Sequence, residues 1–171
     1  MSDKTSLLYT FNEMSPYGST TRESDWIHGT AAKILLDYWN SKKGDSVAPD
    51  WCQFEFMDLY RIASSMVVVD VDPSMNPGKL RYRFMGTKIV EYRRPRADAD
   101  LTGKLFEEGE REYDVRQLLD AYSACMRTIK PILIGGKYET EKWRGSHERL
   151  VVPWLIEGKI ARLTWTFERY T

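Results

Sequence analysis

The chain has 171 residues, with 25 basic and 25 acidic side chains and no formal net charge, so it is sized for one globular domain and offers no general attraction to a polyanion. Its 42% apolar and 13% aromatic content argues against a disordered chain. Two cysteines, Cys52 and Cys125, lacking CxxC spacing, argue against a disulfide framework or a thiol-built metal site. No apolar run approaches bilayer length and the N-terminus has no signal-peptide core, so the expectation is a soluble cytoplasmic protein with no membrane partner.

Residues 1–22 are polar and read as a flexible N-terminal arm, leaving 23–171 as a single domain. The next segment, 24–41, is helical: Ile27, Ala31, Ile34, Leu35 and Tyr38 form one stripe, with Trp39 at its edge. Ser24 or Asp25 is placed to cap its start, and Gly44 to end it. Trp26, Ala32 and Leu36 lie off the stripe. This is more apolar surface than one interface needs, so a second copy of the chain is the expected cover, with the outer face of a sheet as the alternative. "KKGDSVAPD" at 42–50 is a turn-rich loop, and a short helix is predicted over 56–63.

"SMVVVDVD" at 65–72 is β-branched and predicts a strand. After the Pro- and Gly-punctuated "PSMNPG", a second strand alternates, with Leu80, Tyr82 and Phe84 on one face and Arg81 and Arg83 on the other. Gly86 ends it, and Thr87 starts a short helix through Tyr92. Arg93-Arg94-Pro95-Arg96 is the one basic run. Asp98 and Asp100 offset it, so it reads as a solvated loop and no nucleic-acid partner is expected.

The longest helical pattern covers 111–129, with Val115, Leu118, Leu119, Tyr122, Cys125, Met126 and Ile129 on one side and Pro131 beyond its end. The acidic run 106–114 fits the positive end of that helix better than a catalytic pair. Three strands follow, about 132–142, 146–154 and 159–168. In the last, Ala161, Leu163, Trp165 and Phe167 alternate with polar residues. The whole is α+β: a five-stranded antiparallel sheet with helices on one face and an N-terminal helical extension.

Four segments carry a resemblance. They are Leu35-Leu36-Asp37-Tyr38-Trp39; Tyr82-Arg83 with Gly86-Thr87 and Ile89-Val90-Glu91; Asp100-Leu101-Thr102-Gly103-Lys104; and Glu148-Arg149-Leu150-Val151-Val152-Pro153. In this order they resemble a bacterial, alphaproteobacterial-type family of stand-alone PAS-like proteins, over residues 26–168. The loop between Glu91 and Asp100 departs from the family by its length and its Arg-Pro-Arg sequence. The resemblance implies strand order 2-1-5-4-3, with a cavity between the sheet and its helices. It further implies a non-enzymatic sensory or protein-interaction module that acts in signal transduction through a separate signalling protein, with a homodimer formed through the N-terminal helix.

Candidate cavity liners for a small apolar or aromatic ligand are Tyr82, Phe84, Ile89, Tyr92, Leu118, Tyr122, Ile134, Tyr138, Leu163 and Trp165. The same residues would serve equally as a filled core. The Asn-Cys-Arg-Phe motif of flavin sensors is missing, and 111–129 holds no His for haem, so the cofactor is left open. His147-Glu148 lacks the second His of a zinc-protease motif, and no nucleotide lobe accompanies it as in a sensor kinase, so His147 reads as structural. His28 faces off the helix stripe and reads as solvated. No Walker, GxSxG or GxGxxG motif is present. The alternative is a small enzyme of a cone-shaped α+β fold, with His147 or an acidic residue working in the sheet–helix cavity.

Overall fold

The computed structural model describes the backbone of residues 8–14, 18–23, 29–94, 98–109, 115–139 and 144–170, and their side chains apart from those of 8–14, 18–23, 115–117, 136–139 and 144. Seven strands form one sheet: β1 (Leu8–Met14), β2 (Gly18–Glu23), β3 (Met66–Asp70), β4 (Arg81–Met85), β5 (Ile132–Glu139), β6 (Arg144–Ile156) and β7 (Lys159–Tyr170). Their order is β2-β1-β5-β6-β7-β3-β4, and β1 runs parallel to β5 while the other neighbours are antiparallel. Numbered by themselves, the five strands from β3 onward stand in the order 2-1-5-4-3 that the resemblance implies.

The N-terminal residues were expected as an arm without strands. Instead, Leu8–Met14 and Gly18–Glu23 pair as a hairpin and extend the sheet at β5. Gly18–Glu23 is polar throughout and Leu8–Met14 alternates only at Tyr9 and Phe11, too short a pattern to announce a strand; β5 supplies the hydrogen-bonding edge.

Among the described residues four α-helices complete the fold: α1 (Thr30–Lys43), α2 (Thr87–Arg93), α3 (Phe106–Gly109) and α4 (Val115–Thr128). The helix predicted over 56–63 is two separate 3-10 turns, Phe56–Leu59 and Ala63–Ser65. The Glu157-Gly158 turn joins β6 to β7 with both residues at positive φ, 52° and 76°, which suits the twist of a two-residue hairpin.

The sheet is covered on both faces. On the inner face α2, α3 and α4 bury Ile89, Phe106, Leu118, Tyr122, Cys125 and Met126 against Val67, Val69, Tyr82, Ile134, Val151, Leu163 and Trp165. On the outer face α1 buries Ala31, Ala32, Leu35 and Trp39 against Met66, Leu133, Leu150, Val152 and Trp154. Of the surplus apolar residues, Ala32 is buried and Leu36 partly buried on the outer sheet face, the alternative that the sequence allowed, while Trp26 lies outside the described residues. The indole of Trp39 donates to the Pro153 carbonyl at 2.7 Å.

The expected caps Ser24 and Asp25 lie outside the described residues. Gly29 stands at the N-cap and has no side chain to accept a bond. The sheet supplies the acceptors. Glu148 Oε1 accepts from Gly29 N–H at 2.9 Å, and Glu168 Oε1 accepts from Ala31 N–H. These carboxylates are cross-strand neighbours, so two negative charges meet the positive end of α1.

Gly86 follows the end of β4 as expected, and its φ of −66° is open to any residue. What Gly86 provides is clearance: a Cβ there would lie 2.4 Å from the Ser64 carbonyl oxygen. Gly103 does need glycine's freedom, at φ +86°.

Candidate ligand site on the inner face of the sheet

Tyr82, Ile89, Leu118, Tyr122, Ile134, Leu163 and Trp165 all converge in the inner core. Tyr122 is fully buried, with its ring edge-on to Phe106 at 5.5 Å, and Phe106 in turn lies 6.4 Å from Tyr82.

Phe84 does not join them. Val68 pairs with Phe84 and Val69 with Tyr82, so Arg83 is an extra residue in β4. This bulge reverses the alternation after Tyr82. Phe84 therefore points to the outer face, where its ring meets Phe56 at 5.1 Å, and Met85 takes the inner position. Arg83 and Arg162 both reach Asp70 Oδ1, at 2.8 and 2.9 Å.

Tyr92 sits at the margin, 38% exposed, with its ring edge-on to Phe167 and beneath the Arg169 guanidinium at 4.2 Å. It lines a cleft of about 520 Å³ between α1, α2 and the end of β7, beside Thr30, Lys88 and Glu168. Tyr138 is in β5, but its side chain lies outside the described residues.

The residue that the sequence reading passed over is Arg149. It pairs with Ile134 on one side and with Phe167 on the other. It is only 8% exposed. Its guanidinium carbon lies over the rings of Trp165 at 4.8 Å and Phe167 at 5.0 Å. Two such contacts are worth about 0.5–2 kcal/mol each. They do not replace a counter-charge, because a guanidinium keeps its proton and burial of an uncompensated charge costs several kcal/mol.

Ion pairs among the described residues include Lys42–Asp58, Arg83–Asp70 and Arg162–Asp70, and none involves Arg149. Arg149 Nε and Trp165 Nε1 are both buried without a hydrogen-bond partner among the described residues. The available sequence signal was parity: Arg149 stands two residues before Val151, on the same face of a strand buried on both sides.

Cys125 contributes no chemistry here. Its thiol reaches the Val151 carbonyl at 3.9 Å, and burial pushes its pKa well above the ordinary 9.0. A thiol so held is a small core residue, not a nucleophile. Among the described residues no cluster of His, Cys, Asp and Glu could hold a metal ion, and no helix is long and apolar enough to cross a membrane.

The order of strands, with α2–α4 on the inner face, decides the architecture. This is a PAS fold. No profile of a known family matches the chain, and no curated protein matches it.

Solved structures that resemble it include the following three. The PAS domain of BvgS from Bordetella pertussis matches at 16% identity and a TM-score of 0.49, over 70% of this chain and 88% of that one. The PAS domain of an HTR-like protein from Haloarcula marismortui matches at 14% and 0.39, over 64% and 84%. A sensory box histidine kinase/response regulator from Burkholderia thailandensis matches at 16% and 0.38, over 68% and 86%. Likeness at this level carries no inference about ligand or partner. Within the PAS sheet of this chain, Arg149 and Trp165 occupy the face toward α4, where the candidate liners gather.

Proposed function

We propose that this chain is a non-enzymatic PAS sensory module that binds a small molecule between the inner sheet face and α4, and passes the signal to a separate protein. The observation that supports this reading is the pair of buried donors, Arg149 Nε and Trp165 Nε1, without a hydrogen-bond partner among the described residues in an otherwise apolar core. Leaving a buried donor unbonded costs about 1–3 kcal/mol, so a core built only for stability would not retain two. A ligand that accepts from them removes that penalty and favours the conformation in which they point inward.

Strand β6 offers a route outward. Arg149 lies on its inner face, while its neighbours Glu148 and Leu150 lie on the outer face beneath α1. A shift of β6 on binding would alter how Glu148 holds the start of α1. The packing of α1 on its own sheet gives less support to a homodimer through that helix, since Leu35 and Trp39 are already fully buried.

The test is direct. The chain is purified without denaturant, unfolded and extracted, and the extract is examined by mass spectrometry. A small molecule recovered in stoichiometric amount, and depleted in Trp165→Leu, is the expected result. Transfer of phosphate to His147, or turnover of a recovered molecule, would overturn the non-enzymatic reading.

A further inference from the structure

We infer that the ligand of the inner face is an anion, a small carboxylate with a flat or aliphatic body, and that Arg149 is its counter-charge. The inference rests on the ligand-binding reading above and adds the sign of the charge. The sequence suggested an apolar or aromatic ligand, because the liners it identified are apolar.

The geometry around Arg149 points elsewhere. A guanidinium has two faces and an edge. Here its carbon lies over the aromatic rings of Trp165 and Phe167, and the N–H groups lie along the edge. Nε is without an acceptor among the described residues, although the side chain is more than nine-tenths buried. A carboxylate binds such an edge with two parallel bonds, the strongest neutralising contact an arginine makes. Trp165 Nε1, also unpartnered among the described residues, adds a neutral donor on the same face. The walls supplied by Ile134, Leu163 and Tyr122 suit an apolar body behind the anionic group. A neutral ligand of the same shape would leave the buried cation without an ion-pair partner among the described residues.

The nearest negative side chains in sequence do not meet this demand. Glu148 and Glu168 turn to the outer face, where they hold Gly29 and Ala31 of the α1 start. The alternation of the strands thus separates the two signs: acids outside against the helix end, and the cation inside.

The experiment uses the full chain and matched probes at fixed ionic strength and pH 7: benzoate against benzamide, phenylacetate against phenylacetamide, and hexanoate against hexanamide. Thermal unfolding is followed in the wild type, Arg149→Met, Arg149→Lys and Trp165→Leu. Arg149→Met removes a buried charge while keeping length, so it is expected to fold. At least one carboxylate should raise the melting temperature saturably, and its amide should bind at least tenfold more weakly. Arg149→Met should lose that carboxylate at least tenfold, with Arg149→Lys between, since a lysine keeps charge but not the fork. Equal shifts from acid and amide that vanish in Trp165→Leu would sink the anion and leave the ligand-binding reading standing. A carboxylate shift unchanged in Arg149→Met would sink Arg149 as its partner. No shift from any probe in the wild type would overturn both readings.

Discussion

At the scale of single residues, the inner core sets two expectations. Tyr122 is fully buried against Phe106, so Tyr122→Ala should cost about 3–5 kcal/mol in chemical denaturation, as for other buried aromatics. A loss below about 1 kcal/mol would mean the ring is not packed there. The second expectation concerns alkali. Burial raises the pKa of Cys125 from its ordinary 9.0; burial first, then the Glu148 and Glu168 charges, raises that of Tyr170 from 10.0. Above those ordinary values the unfolded chain gives up protons that the folded chain keeps. Stability should therefore be level below about pH 9 and fall as the pH rises beyond it. Cys125→Ala and Tyr170→Phe should each flatten the decline when unfolding midpoints are compared between pH 8 and pH 11.

At the scale of elements, the attachment of α1 shows what could be read in advance and what could not. Ala31 and Leu35 were legible on the predicted stripe because helical periodicity is a local property, whereas Trp39, read at its edge, and Ala32, read off it, are buried and Ile34 and Tyr38 only partly so. The cap of α1 was not legible, because Glu148 and Glu168 are 119 and 137 residues away from the groups they accept from. The same distinction separates Tyr82 from Phe84. Alternation placed both on the inner face, and one extra residue paired against β3 moved the second to the outer face. A bulge leaves no mark in the pattern of a five-residue strand. Arg149 was illegible for a related reason, since both faces of β6 are buried and only the sheet register reveals what surrounds it. The clamp itself is testable. Glu148→Ala should lower stability by about 1–2 kcal/mol, as for loss of a helix N-cap. Glu148→Gln retains an acceptor and should lose only the charge contribution, about 0.3–1 kcal/mol. If both variants stay within about 0.5 kcal/mol of the wild type in urea, Glu148 behaves as an ordinary surface substitution and the clamp does not hold α1.

At the scale of the whole molecule, the five strands were legible as alternating segments between turns and their order followed from the resemblance, but the two-sided covering did not. A helix with apolar residues beyond one stripe has two physical solutions: a second molecule, or a sheet face of its own. The choice depends on whether that face is apolar, and here Leu133, Leu150, Val152 and Trp154 make it so. This predicts the consequence of removing residues 1–43. Were α1 the core of a dimer interface, deletion would yield a smaller, well-behaved monomer. Because α1 instead covers the outer face, deletion uncovers Met66, Leu133, Leu150, Val152 and the two-ring face of Trp154, which packs on Trp51 and Phe54. A contiguous apolar patch of that kind drives association or binds apolar dyes. The truncated chain should sediment as larger species than the full chain at equal concentration, bind a hydrophobic dye strongly, and melt at a lower temperature. The inner-face core, which shares none of its buried residues with the outer one, should keep its near-ultraviolet aromatic signature in part. A truncated chain that stays monodisperse with an unchanged melting temperature would show that the outer face does not need α1, and would return the dimer to first place.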